Sequence, residues 1–241
     1  MSVHRIIVAQ VPAAGLAATI GGDEGRHAAL VKRLRVGERV ELLDGQGAVG
    51  QATVESVEPG GKRAEPSIRV VVSGRQVRPP VRPAVHVWAP PPKRDRVEWM
   101  VDQLCQVGAA GWGPLRCTRA EGSGPLRDER LERIAREAMK QCGRAHAMQF
   151  HPATDVPGVV ALAAGLALVV ADGAGRPPEP GAPTAAQVHL VVGPEGGLTD
   201  QERRELLNAG GVPVRLAPFV LRVETAAVVG AASLLACTGP A

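Results

Sequence analysis

The chain has 241 residues, with 28 basic and 24 acidic side chains and a net charge of +4; the length suits one large domain or two small ones, and the charge is too mild for a strongly basic DNA binder. Hydrophobic residues make up 45% and charged residues 22%, so a core can form and the chain is not a disordered one. Aromatics are only 2%, with no Tyr, which excludes an RNA-binding sheet that stacks bases on rings.

In chain order, residues 6–8, 39–43, 49–57 and 68–72 are β-branched or alternating and predict short strands. Gly21-Gly22, Asp44-Gly45 and Pro59-Gly60-Gly61 punctuate them as turns, and residues 24–34 predict a short helix. Residues 1–75 therefore read as a small β-barrel. Residues 77–83 hold Pro79, Pro80 and Pro83 and read as a stiff extended linker, so residues 76–241 form a second domain.

In that second domain strands and helices alternate. Residues 84–88 predict a strand. Residues 95–107 place Val97, Met100, Val101, Leu104 and Cys105 on one helical face. Residues 126–141 repeat the pattern with Leu131, Ile134, Ala135, Ala138 and Met139. Residues 166–171 and 188–192 are continuous apolar runs, as buried parallel strands are. Residues 199–208 predict a helix with a Thr199–Glu202 capping box, stopped by Gly210-Gly211. Residues 214–216 predict a strand and residues 224–237 a last, mostly apolar helix. The fold class is α/β with a mainly parallel sheet.

Charge is unevenly spread. Residues 1–81 carry 11 basic and 8 acidic groups, residues 82–144 carry 12 and 8, and residues 145–241 carry 5 and 8. A polyanion is expected on the first 144 residues. Cys105, Cys117, Cys142 and Cys237 form no CxxC, and the six His form no HExxH, so no metal site is expected. The longest near-apolar run, residues 159–171, is too short for a bilayer span. With no signal peptide in view, the chain reads as soluble and cytoplasmic.

Three segments could carry chemistry, two of them rich in glycine. Gly45-Gln46-Gly47-Ala48-Val49-Gly50 matches GxGxxG, but a strand follows it where a dinucleotide site needs a helix. It reads as a hairpin turn, which counts against a nucleotide-dependent oxidoreductase. Gly193-Pro194-Glu195-Gly196-Gly197-Leu198 follows an apolar strand and precedes a capped helix. That is where α/β folds bind ligands, although a tight βα turn fits the geometry equally well. Phe219-Val220-Leu221-Arg222-Val223-Glu224-Thr225-Ala226-Ala227 joins a strand to the last helix, where Glu224 alone would be a favourable helix-start carboxylate and Arg222 a surface residue.

In this order and at this separation, the last two segments resemble the signature of the bacterial 16S ribosomal RNA (uracil(1498)-N(3))-methyltransferases of the SPOUT superfamily. His4-Arg5, His27, Val31-Lys32-Arg33, Gly37-Glu38 and Asp44-Gly45-Gln46-Gly47 fit that family's N-terminal PUA-like barrel. Residues 93–108 stand at its first methyltransferase helix. Glu137-Ala138, Gln141 and Arg144 fit its E-A-x-x-Q-x-x-R element. Gln106-Val107-Gly108 replaces the usual Glu-Leu-Gly, and Ala217 and Phe219 stand where Gly and Arg are common.

The resemblance implies a PUA-like RNA-binding β-barrel over residues 1–75 and a SPOUT methyltransferase domain with a trefoil knot over residues 76–241. It implies S-adenosylmethionine held by Val192, Gly193, Pro194, Glu195, Gly196, Gly197, Leu216, Ala217, Val220, Leu221 and Thr225. Methyl transfer to N3 of a uridine in 16S ribosomal RNA is then the expected reaction. Uracil N3 must lose a proton, so Glu195 is the first candidate to manage it and Glu224 the second, with Arg222 meeting phosphate or a uracil oxygen. Arg5, Arg26, His27, Lys32, Arg33, Arg35 and Arg144 would contact RNA. Such enzymes resemble one another in being homodimers, with 16S rRNA or the small ribosomal subunit as partner. The competing reading is a non-catalytic or weakly active RNA-binding factor that retains the fold.

Overall fold

The structure is a computed structural model and describes residues 3–61, 64–93, 95–120, 128–179 and 185–236. It divides into two compact units, Met1–Pro80 with Met139–Ala147, and Val81–Ala138 with Met148–Ala241.

The first unit holds β1 (His4–Ile7), β2 (Ala17–Ile20), α1 (Gly22–Arg26), β3 (Arg39–Leu43), β4 (Ala48–Glu58) and β5 (Ser67–Val77). The sheet order is β1-β3-β4-β5-β2; β1 runs parallel to β3 and the other pairs are antiparallel. Alternation puts Val40, Leu42, Ala52, Val54, Ile68, Val70 and Val72 into one buried cluster with Ile6 and Ala28. Each large aliphatic side chain buried there contributes about 1.5–3 kcal/mol.

The GxGxxG match is the β3–β4 hairpin, as its context indicates: Asp44 Oδ1 accepts from the Gln46 N–H at 2.8 Å and the Ala48 N–H at 3.0 Å, an Asx-type turn. After α1 the chain widens by one residue per turn over His27–Val31, with the Lys32 N–H donating to the His27 carbonyl at 2.9 Å. The helix expected over residues 24–34 is thus two short pieces.

The boundary expected between residues 75 and 76 falls inside β5, because the ladder with β4 continues to Val77 opposite Ala48. Residues 139–147 also group with the first unit. Arg5 donates to the carbonyls of Lys140 and Gln141 at 2.8 and 2.9 Å, and Lys140 Nζ lies 2.9 Å from Glu24. The two carbonyls belong to the last turn of a helix, where a cation is favourable.

The second unit holds β6 (Ala84–Ala89), α2 (Asp95–Val107), β7 (Gly111–Arg116), α3 (Asp128–Cys142, whose last turn groups with the first unit), β8 (Gln149–Phe150), β9 (Thr154–Asp155), α4 (Val156–Leu162), β10 (Ala167–Arg176), β11 (Gln187–Val191), α5 (Asp200–Asn208), β12 (Val212–Val214) and α6 (Val223–Ala236). The sheet order is β12-β10-β11-β6-β7-β8, with β9 on β7, and every pair is parallel. Parallel pairing leaves each successive βα loop on the same edge.

β7 escapes the sequence pattern because Gly111-Trp112-Gly113-Pro114 is poor in strand formers. Its glycines make room: a Cβ on Gly113 would collide with the Trp88 ring, and one on Gly111 would sit 2.6 Å from His151 Nε2 and 2.7 Å from His86 Nδ1. α4 escapes it because Pro157 and Gly158 interrupt its helical pattern, although Asp155 caps it through the Gly158 N–H. The last strand is Val212–Val214 rather than 214–216, so Leu216 falls in the following loop.

His86 of β6, His189 of β11 and His151 just after β8 form a cluster. His86 Nδ1 lies 2.8 Å from His151 Nε2, and the Trp88 indole N–H donates to His189 Nδ1 at 2.9 Å. Burial, then the neighbouring His151 and His189, push His86 down to about 4; burial also lowers His151 and His189. Among the described residues no helix is long and apolar enough to cross a membrane.

Candidate cofactor and RNA sites

β10, β11 and β12 lie side by side, and the middle of β10 with the segments after β11 and β12 line an open cavity of about 590 Å³. That size suits a small-molecule ligand. Its walls come from residues 170–173, 192–198 and 215–221, with Arg203 and Ala226. Residues 193–198 and 216–221, which the resemblance gives to the cofactor, thus line one cleft, while of residues 222–227 only Ala226 reaches it.

The first wall is built largely from backbone. Gly197 has φ +70, which L side chains rarely adopt, and its N–H closes a turn on the Pro194 carbonyl at 2.8 Å. The loop then enters α5, whose N-cap Thr199 and Glu202 form the expected capping box. Val192 and Pro194 are buried, while Glu195 is exposed at the cavity. The opposite wall is apolar: Leu216, Ala217, Pro218, Phe219, Val220 and Leu221. Phe219 and Val220 are 83% and 96% exposed.

α6 supports this wall from below. A Cβ on Gly230 would lie 2.7 Å from Leu190 and 3.2 Å from Leu216, so glycine lets the helix seat against β11 and the 216–221 loop.

The cavity also has a polar side. Arg203 Nε donates to Asp172 Oδ2 at 2.5 Å, and both residues line it. Burial acts to raise the Asp172 carboxyl. The Ala174 N–H, the Arg203 hydrogen bond and the Arg203 charge outweigh that and hold it below the usual carboxylate range. Asp172, Gly173, Arg203 and Arg215 are wall residues that the motif reading did not find. The signal was available: Asp172-Gly173 ends the apolar run of a buried strand, the position where such folds bind ligands.

Three candidates fall outside the wall. Arg222 is exposed beside it, and Thr225 is half-buried in the first turn of α6. Glu224 is 5% exposed, accepts from Arg96 Nη1 at 3.4 Å through Oε1, and has Oε2 buried with no donor among the described residues. It is placed as the buried half of an ion pair rather than as a group facing the cavity.

The basic candidates in the first unit also separate. Arg26, at the end of α1, and Lys32, Arg33 and Arg35, after it, are exposed, and Val31 and Val36 beside them are exposed as well. Arg33 has φ +52, a strained conformation for a non-glycine residue. His27 stacks on His4 at 6.0 Å. Arg5 is engaged by Glu41 at 2.8 Å and by the two helix-end carbonyls. Arg144 donates to the His146 carbonyl at 2.6 Å. Arg5 thus ties β1 to a helix end and Arg144 bonds within its own loop, while Arg26, Lys32, Arg33 and Arg35 face solvent.

Comparison with known proteins gives a family. Residues 79–235 match a model described as an RNA methyltransferase domain, and residues 20–66 match an RNA methyltransferase PUA domain. The ribosomal RNA small subunit methyltransferase E of Mycobacterium bovis is 38% identical over 91% of this chain and 86% of its own length. That of Bacillus subtilis is 26% identical over 86% of this chain and 85% of its own. The ribosomal RNA small subunit methyltransferase E of Neisseria gonorrhoeae, solved bound to S-adenosyl methionine, superposes with a TM-score of 0.78 at 20% identity, covering 98% of both chains. The matched architecture is a PUA domain followed by an α/β RNA methyltransferase domain.

Proposed function

The chain belongs to the RNA methyltransferase family, and from that premise we propose that it methylates N3 of a uridine in 16S ribosomal RNA of the small subunit, in the cytoplasm. The observation that carries the proposal is the cavity beside β10, β11 and β12, walled by residues 193–198 and 216–221. The wall suits S-adenosylmethionine: a glycine-rich backbone for close approach, an apolar face for adenine, and the Asp172–Arg203 pair for a ligand carrying both charges. When bound, the cofactor supplies an activated methyl group.

The chain's own residues orient and deprotonate. Glu195 is the one candidate carboxylate exposed at the cavity, so it is the acceptor of the N3 proton, directly or through water. Glu224, buried against Arg96, is a positioning group for the start of α6. Arg222 contacts RNA. The base must leave its stack to reach the cavity. In the PUA-like unit, Arg26, Lys32, Arg33 and Arg35 meet phosphates, with His27 beside them.

The proposal includes the trefoil knot of this superfamily and a homodimer. The apolar α6 and the exposed Phe219 and Val220 support a buried partner surface. Light scattering should give twice the 25.0 kDa chain mass; a monomer at micromolar concentration would count against the dimer.

Calorimetric titration with S-adenosylmethionine tests the site. One cofactor per chain is expected. Glu195→Gln should leave that affinity within about twofold yet slow transfer about 100-fold. An unchanged rate would remove Glu195 from the chemistry, and no binding heat would favour a non-catalytic RNA-binding role.

A further inference from the structure

The 193–198 loop contains three glycines, and its one internal backbone bond is the Gly197-to-Pro194 turn. Glycine-rich backbone loses the most freedom on ordering, so such a loop needs support from elsewhere. That support comes from the segment directly after β7. Arg119 Nη1 donates to the carbonyls of Gly196 at 3.1 Å and Leu198 at 3.4 Å. The Arg119 stem packs against Gly196, 3.5 Å from where a Cβ would stand.

One residue earlier, the Thr118 N–H and hydroxyl donate to Glu202 Oε1 at 2.7 and 3.0 Å. The other oxygen of Glu202 takes the Thr199 N–H at 2.7 Å and hydroxyl at 2.9 Å. A single carboxylate therefore ties the end of the glycine loop, through its capping box, to Thr118. Burial acts to raise Glu202, but these bonds hold it low, so the tie stays charged near neutrality. Burial and the Glu202 charge push the adjacent Cys117 thiol up to about 12, which leaves it an uncharged neighbour.

We propose that Arg119 and Thr118 are positioning residues that clamp the 193–198 loop in its cofactor-receiving shape, so that cofactor affinity, rather than the transfer step, depends on them. The proposal rests on the cofactor reading of the cavity. A loop ordered beforehand loses less entropy on binding, which is where the affinity comes from.

The experiment combines calorimetry with S-adenosylmethionine, hydrogen exchange of the loop amides in cofactor-free protein, and transfer kinetics for Arg119→Ala, Arg119→Lys and Thr118→Val. The clamp predicts faster exchange at residues 196–198 in all three. It predicts cofactor Kd raised about tenfold in Arg119→Ala and about threefold in Arg119→Lys, which keeps the charge but loses the planar fork. KM for cofactor should rise with kcat at saturation within about twofold, and RNA affinity should be unchanged.

Unchanged loop exchange would overturn the clamp whether or not cofactor binds. Affinity lost only in proportion to an unfolded fraction, read from thermal melts, would overturn it as a mere stability effect. Weaker RNA binding in Arg119→Ala, restored in Arg119→Lys with cofactor Kd unmoved, would reassign Arg119 to phosphate. Absence of cofactor binding by the unsubstituted protein would overturn the cofactor reading and the affinity arm with it, while loop exchange would still judge the clamp.

Discussion

The turn after α1 and the cavity beside β10–β12 use opposite means. The end of α1 and the turn after it place Arg26, Lys32, Arg33 and Arg35 in solvent, where the charges act nearly independently and one replaces another at modest cost. The cavity takes its shape from backbone: a left-handed Gly197, a small Gly230 beneath the wall, and carbonyls held by Arg119 from 77 and 79 residues away. A site made of surface charge is tuned by number; a site made of backbone shape fails at single positions.

The largest expected effect is on the parallel sheet itself. His86, His151 and His189 are neutral in the folded sheet, and each has a lowered pKa. The unfolded chain therefore binds protons first, and their contribution is complete above about pH 6.5 and lost as pH falls towards 4. The His86 value, pushed down to about 4 by burial and then by its two histidine neighbours, sets the lower end of that window. Denaturant melts from pH 7 to 4 should show the loss, and His86→Gln should flatten it; a flat profile in the native sequence would remove the cluster's role.

Next in size is a change of loop shape. Gly197→Val forces a β-branched residue to φ +70, at a cost of about 2 kcal/mol or more. Cofactor affinity should fall at least about tenfold, with RNA affinity held. Retained cofactor affinity would break the contrast, since the wall would then tolerate a side chain at its left-handed position. Smaller again is the surface strip. Replacing Lys32, Arg33 and Arg35 together by Gln should weaken RNA binding about tenfold and reduce the salt slope by about 2–3, while each single change costs little. An unchanged slope would show that these residues do not meet phosphate.

The sequence shows periodic elements well and long-range support poorly. The bounds of α2 match the periodicity because Val97, Met100, Val101, Leu104 and Cys105 form one buried stripe. α5 is marked by its own capping box, and the 193–198 and 219–227 segments are legible because their residues and order together resemble a family signature. β7 was hidden because its residues were chosen for the bulk of Trp88 and His151. Arg119 and Asp172 were hidden because their partners become neighbours only when the sheet forms. Arg5 looked like an RNA contact in sequence because nothing there shows Glu41 and a helix end beside it.

The central claim is best tested by incubating the protein with unmodified small ribosomal subunits and labelled S-adenosylmethionine, then digesting the RNA for nucleoside mass spectrometry. The account predicts one labelled 3-methyluridine per 16S molecule, lost in Gly197→Val. Label on another nucleoside would contradict the uridine N3 assignment, and no label with cofactor bound would contradict the enzyme.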